Sequence, residues 1–468
     1  MSPPTPSVSR GRAAPWRDEV RATVALGLPL ALSQVAQIAI QTTDVVMMGW
    51  LGPESLAAGG LAANLFVTQL IFGMGILTAV SPIAAQILGA PGRRGKVRDV
   101  GRTVYQGLWM ATLLSVPFMI VCWYVRPVLI ALGQDPHLAA LAEPYMRGLL
   151  WAMPPVLWFI VLRGFVSALS RPRAVFLVTL WGVLFNALAV YALMFGKFGF
   201  PALGLPGAGI ASACVYASMA IVLFAYAWMD RQFRPYLHLG GPAWPEWAAI
   251  REIARVGTPI GFMWVAEGGV FSVAMLLMGL LGATEIAAHQ IALQCAAIAF
   301  MVPLGMSQAA TVRVGLAAGA GDAAGVRRAG WTAVALGTAF MAFTCLLFLF
   351  GGRAVVGLFL DSGASATRPA AILAAKLLVI AGVFQLFDGA QSTAAGALRG
   401  LKDTRVPLAI AIFGYWIVAF PLAIALGFAF RGGAVGIWIG LAAGLAVAAA
   451  LLSLRFRWAS TAFARGAS

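Results

Sequence analysis

The strongest constraint on this chain is a succession of twelve apolar stretches, each long enough to cross a bilayer as a helix. They cover residues 22–48, 57–80, 103–125, 146–164, 174–196, 207–229, 256–280, 287–312, 329–351, 370–395, 406–428 and 433–454. A hydrocarbon core of roughly 30 Å needs about 20 mostly apolar residues in helical form. A membrane β-barrel would instead show segments of about ten residues that alternate apolar and polar, and nothing here alternates over that length. The pattern therefore predicts an all-α polytopic membrane protein with twelve transmembrane helices. Composition agrees: 61% of the 468 residues are hydrophobic and 10% charged, against roughly 45–50% and about 25% in soluble proteins. An ordinary soluble enzyme or DNA-binding domain is excluded.

Charge placement predicts orientation. Of the 32 Lys and Arg residues, 25 fall in the two termini and alternate connections, and six in the opposite connections. The last, Lys376, lies inside a span and is read as snorkelling to the outer interface. Positive connections stay cytoplasmic, so both termini are expected inside. The net charge of +16 is thus spread along the loops, and no nucleic-acid partner is implied, because such a partner needs one basic folded surface. Residues 1–21, polar and Pro-rich, read as a disordered cytoplasmic tail, not a cleaved signal peptide. Residues 455–468 read as a cytoplasmic tail at the other end.

Sliding the chain by 230 residues aligns Gly27 and Pro29 with Gly257 and Pro259, Gly75 with Gly305, and Gly89 with Gly319. The chain is therefore a six-helix unit used twice, with lobes at 22–230 and 256–454 joined by a cytoplasmic linker at 231–255. Six spans return the chain to the same side, so the lobes are expected to be pseudo-symmetric about an axis along the membrane normal. Internal repeats of this kind are a habit of secondary transporters, which bind substrate at the repeat interface.

Three carboxylates, Asp44, Glu267 and Asp388, lie inside spans. Inserting three acids costs ~8–10 kcal/mol on the biological scale, so acids at such depth usually face water and serve ions, protons or cationic substrates. At 1.5 Å per residue, Glu267 sits roughly 18 Å from cytoplasmic Arg255 and Asp388 roughly 16 Å from Arg399. The two are expected at one level in the C-terminal lobe, where each raises the other's proton affinity and a cation relieves the repulsion. Asp44 belongs to the other lobe. Cys122, Cys214, Cys295 and Cys345 sit singly in apolar runs, and His137, His238 and His289 lie far apart, so neither suggests a metal site. No cofactor is expected.

These residues are carried on motifs that resemble the multidrug and toxic compound extrusion (MATE) family, in its NorM-like branch. GLPLALSQVAQIAIQTTDVVMMGWLG is similar to the family's first helix, with its Asp at Asp44. GTPIGFMWVAEGGVFSVAMLLMGLLGATEIAAHQIALQ is similar to the seventh, with its Glu at Glu267, and FQLFDGAQSTAAGALRGLKDTRVP to the tenth, with its Asp at Asp388. SPIAAQILGA and VRVGLAAGAG match after the second and eighth helices. The resemblance implies a MATE-type two-lobed fold in a bacterial inner membrane. It implies an antiporter that exports cationic or amphipathic drugs in exchange for H⁺ or Na⁺, with Glu267 and Asp388 as the cation site and Asp44 in a second site. In that branch two asparagines of the fifth helix accompany the first-helix Asp; here Asn186 fills one position and Val190 stands at the other. The branch often has a Tyr one turn before the tenth-helix Asp, and this chain has Phe384, whose ring face can still attract a cation. Both departures weigh toward H⁺, with Na⁺ at Glu267 and Asp388 as the alternative.

Gln34 and Gln37 on the first span are candidates for lining the substrate cavity, and Gln37 is the repeat partner of Glu267. Met263, Trp264, Phe384 and Phe387 are candidates for an adaptable apolar wall. His289, Asn64 and Gln294 are read as structural. A monomer is expected. The competing transport reading is a flippase for lipid-linked precursors, which favours basic residues in its cavity. An intramembrane aspartyl protease needs a GxGD-type setting, and DGAQ at Asp388 is not one. No nucleotide loop appears, so ATP hydrolysis within this chain is excluded as a driving force.

Overall fold

The computed structural model describes residues 16–92, 95–240, 244–359 and 368–466. The expected N-terminal tail up to residue 15, and Pro242 of the linker, lie outside these residues. Among the described residues, twelve helices are long and apolar enough to span a membrane: α1 (Trp16–Trp50), α2 (Pro53–Gly89), α3 (Lys96–Trp123), α4 (Pro136–Ala168), α5 (Pro172–Phe195), α6 (Leu205–Met229), α7 (Trp247–Leu281), α8 (Ala283–Gly319), α9 (Ala323–Gly357), α10 (Arg368–Gly400), α11 (Arg405–Ala429) and α12 (Gly433–Gly466). Every expected span falls on one of them, and the described residues contain no strand. The helices outrun the apolar stretches because a helix does not stop where hydrocarbon stops. Thus α12 continues through residues 455–466, where a tail was expected.

The linker contains a short helix, Arg234–Gly240, and is strapped to α3. Tyr105 donates to the Leu237 carbonyl at 3.1 Å. The Gln106 amide donates to the Trp244 carbonyl at 3.1 Å and accepts from the Glu246 N–H at 2.8 Å.

The chain forms two compact units. One comprises Leu32–Gly261; the other runs from Phe262 onward and includes α1 up to Ala31. The expected boundary was the linker. The observed boundaries instead fall inside α1 and α7, 230 residues apart and two residues past Pro29 and Pro259. Each proline removes one helical hydrogen bond and crowds the preceding turn, so the stretch before it can depart from the rest of its helix. In the second unit the start of α1 packs on α8: Leu26 and Leu30 cluster with Ala309 and Val312, and Arg313 grips Glu19 through two bonds of 2.9 and 2.8 Å. Gly27 lies against Met306, and Gly305 against the Ala31 backbone. In the first unit the start of α7 repeats this on α2, with Gly257 against Ile76 and Gly75 against the Gly261 backbone. These are the same pairs after a shift of 230.

Close approach elsewhere also rests on small residues, as expected where lipid offers helices no hydrophobic reason to associate. Gly396 and Gly400 seat α10 against Ser307, Thr311 and Val314 of α8, while Gly389 meets Gly337 of α9. Gly436, Gly440 and Gly444 on α12 let the α11 backbone approach. Within α11, around Pro421, two stretches widen into π-helical turns, Phe413–Ala419 and Ala425–Ala429; such turns recur at functional sites. A Cβ at Gly396 would run into the Ser307 carbonyl, whereas one at Gly60 meets nothing within 4 Å. Gly396→Ala is therefore expected to cost about 1–3 kcal/mol through overpacking. Gly60→Ala should leave thermal unfolding in detergent unchanged.

Candidate functional site

In the first unit, α1 carries Asp44 to a point where α5 and α6 supply donors. Asn186 donates to Asp44 Oδ1 at 2.7 Å and Ser212 to Oδ2 at 3.4 Å. Gly182 of α5 lies against Met219 of α6, which holds the two donor helices together. Asn186 is fully buried, and so is Val190 one turn on. Val190 offers no donor, and Ser212 of α6 supplies the second one. Tyr145 and Tyr216 lie within electrostatic reach of the carboxylate. A half-buried carboxylate in a membrane span gains from such partners, because an unpaired charge in low dielectric is very costly.

In the second unit, α7 and α10 bring Glu267 and Asp388 into electrostatic contact. Asp388 is only 8% exposed. A third helix completes the group: from the first π turn of α11, Tyr415 hydrogen-bonds Glu267, and Gln391 donates to the same hydroxyl. The order Gln391, Tyr415, Glu267 forms a short polar chain whose end is the carboxylate. Gln391 Oε1 is buried and has no partner, which leaves an oxygen able to accept. Trp416, next to Tyr415, donates to the Ala266 carbonyl at 3.2 Å and covers Gly269. That bond fixes the α7 backbone beside Glu267. The hydroxyl missing at Phe384 is thus present on α11.

Two arginines complete the electrostatics. Arg399 is 4% exposed; it donates to Ser307 Oγ at 2.7 Å, lies over the Trp264 ring at 5.8 Å, and interacts with the charge of Glu267. Trp264 stands one turn before Glu267, so the guanidinium reaches the carboxylate's side of α7. In the first unit Arg163 is 6% exposed and donates to Gln34 at 2.9 Å. Gln34 and Trp264 are repeat equivalents, so each unit sets a buried arginine of its fourth helix against the same position of its first.

The remaining candidates divide. Gln37 is half-buried, the repeat partner of Glu267 with an amide in place of the acid. Met263 and Phe384 sit in the hydrophobic core of the second unit, where Phe384 packs edge-on to Phe271 and Trp438 at 6.1 and 5.8 Å. Phe387 is half-buried against the same core. His289 accepts from Trp438 Nε1 at 3.1 Å. Ser212, Tyr415, Gln391, Arg163 and Arg399 are the residues that sequence reasoning did not single out. Tyr415 was traceable as a lone hydroxyl within an apolar span; Ser212 reads as one more small packing residue.

The family described as MatE matches the chain twice, over residues 29–192 and 259–425, and the two starts are again 230 residues apart. The chain belongs to the MATE family. Among curated MATE relatives, the probable multidrug resistance protein NorM of Mesorhizobium japonicum is 47% identical over 454 residues, covering 96% of this chain and 97% of that protein. The protein of the same name from Pseudomonas aeruginosa is 41% identical over 440 residues, covering 94% and 89%. A solved eukaryotic MATE transporter has a TM-score of 0.84 at 21% identity, covering 97% of this chain and 100% of the other. An outward-facing MATE transporter of the MOP superfamily gives 0.81 at 20%, covering 96% and 97%. The likeness to these structures shows the MATE fold.

Hydrogen bonds to a charged group contribute about 1.5–3 kcal/mol. Asn186→Ala is expected to destabilise the first unit by that order, and much less in an Asp44→Asn background. A double-mutant cycle in SDS-induced unfolding would measure the coupling; additive effects would contradict the bond.

Proposed function

We propose that the chain is a secondary active antiporter of the bacterial inner membrane, with both termini cytoplasmic, acting as a monomer. It exports cationic or amphipathic compounds in exchange for H⁺ or Na⁺ by alternating access. The observation that carries this reading is the pairing of Glu267 and Asp388 within the membrane-spanning part of one unit. Two acids that share a site cannot both stay charged without a cation nearby. A coupling ion that enters from outside neutralises them, and the bound compound then loses its counter-charge and leaves. Competition for one negative charge is the coupling, so leakage of either species alone is suppressed.

The names of the relatives, multidrug resistance proteins, support the cargo class. The oxygens gathered near the acids bear on the ion. Tyr415 offers a hydroxyl and Gln391 an unpartnered carbonyl, a set compatible with Na⁺, while a relay through Tyr415 to Glu267 suits H⁺. Arg399 holds a fixed positive charge at the same site, which limits the number of cations the two acids can take.

Everted vesicles taking up a fluorescent cationic dye provide the test, with a Na⁺ gradient alone and then an H⁺ gradient alone. Wild type is expected to respond to one gradient, and that response identifies the ion. Asp388→Asn should insert normally and lose at least tenfold in gradient-driven uptake; unchanged uptake would sink the assignment. No response to either gradient would favour the lipid-linked precursor flippase. Tyr415→Phe removes a hydrogen bond that favours the charged carboxylate, so it should shift the half-saturating concentration of the coupling ion about tenfold: upward for Na⁺, which loses an oxygen ligand, and downward for H⁺, which the carboxylate then holds more tightly.

A further inference from the structure

Between α9 and α12 the second unit contains a cavity of about 460 Å³ lined by Arg327, Trp331, Arg457, Ser460 and Thr461. It is built by two helix faces. Arg327 and Trp331 are four residues apart on α9; Arg457, Ser460 and Thr461 share a face of α12 at i, i+3 and i+4. The floor is tight: Gly330 lies directly against the Phe456 ring, and Trp331 packs edge-on to it at 5.8 Å. Above that floor the helices leave room, and two guanidinium groups border the space.

The charge in the cavity is of one sign. No carboxylate lines it, and among the described residues neither Arg327 nor Arg457 has an ion-pair partner. The nearby acids are committed: Asp403 accepts from Arg455 at 2.7 Å, and Asp322 caps the start of α9 by accepting from the Gly325 N–H at 2.8 Å. Ser460 and Thr461 both spend their protons on the Arg457 carbonyl, at 3.0 and 2.8 Å. The free donors are therefore the two arginines. Planar guanidinium groups bind phosphate oxygens through paired N–H donors.

Beside the cavity the surface of α12 passes from apolar to interfacial residues. Leu454 is exposed, as a lipid-facing residue is; Trp458, also exposed, carries the Arg455 guanidinium over its ring at 4.4 Å; Arg457 stands at the cavity between them. Trp beside Arg marks the interface of a membrane, and basic pockets between helices bind anionic headgroups. We propose that this cavity binds the phosphate-bearing headgroup of an anionic phospholipid, and so ties the α12 extension to α9. The site is separate from the carboxylates, and its occupancy does not depend on the transport reading.

The test titrates purified full-length protein in detergent with dioctanoyl phosphatidylglycerol, dioctanoyl phosphatidylcholine and inorganic phosphate, counting bound molecules by native mass spectrometry. Phosphatidylglycerol is expected to bind at least tenfold more tightly than phosphatidylcholine. The double variant Arg327→Gln, Arg457→Gln should lose that preference. Arg353→Gln, at the far end of α9, should keep it. Equal affinity of wild type for the two lipids overturns the proposal, and that comparison needs no variant. Full preference retained in the double variant overturns it too. Inorganic phosphate should fail to displace phosphatidylglycerol at equal concentration; if it displaces the lipid one for one, the ligand is a free phosphate anion and the lipid assignment falls.

Discussion

Hydrocarbon gives two apolar helices no reason to prefer each other over lipid, and the architecture follows from that constraint. What remains is backbone proximity, dispersion and internal hydrogen bonding. Glycines supply the proximity, and α10 shows the result most clearly. Gly396 and Gly400 admit α8 on one face, Gly389 admits α9 on another, and the helix from Asp388 onward is buried almost throughout. A helix enclosed in this way can carry Gln391, Thr393 and Arg399 without exposing them to lipid: Gln391 reaches Tyr415 of α11, Arg399 reaches Ser307 of α8, and Thr393 bonds the Gly389 carbonyl of its own helix. Packing by small residues is thus the condition for holding polar chemistry at depth.

The two acidic sites are supported differently. Asp44 is fixed by uncharged donors from two neighbouring helices. Glu267 and Asp388 face each other, a phenol and a guanidinium, so their charge is shared among groups that must readjust together. A site of the second kind is responsive, since a change in charge at one member alters the balance at every other.

The twelve spans, the 230-residue repeat and the three acids were legible in the sequence because each leaves a signal in one dimension: run length, self-similarity, or a charged letter in an apolar word. The partners of those acids were not. Ser212 and Tyr415 reach their carboxylates by helix rotation and crossing, which no spacing encodes. Arg163 shows a related blind spot. It stands at the edge of an apolar stretch and was counted with the positive connections, yet α4 runs on to Ala168 and turns the side chain inward to Gln34. The unit boundary escaped for the same reason, since proline marks where a helix is free to part from its neighbours and says nothing about what it then joins.

The reciprocal placement of the first turns of α1 and α7 sets an order on synthesis. The second unit needs residues made at the very start of the chain, and the Glu19–Arg313 contact spans 294 positions. At ~5–20 residues per second, the ribosome takes about 15–60 s to deliver the second partner after the first. During that interval the start of α1 stands in the membrane without its α8 groove, while the first unit waits for the opening turns of α7. The first unit can close once the opening turns of α7 are made, whereas the second must wait for α8 to meet the start of α1, so the two halves are completed in sequence, each with a piece begun in the other.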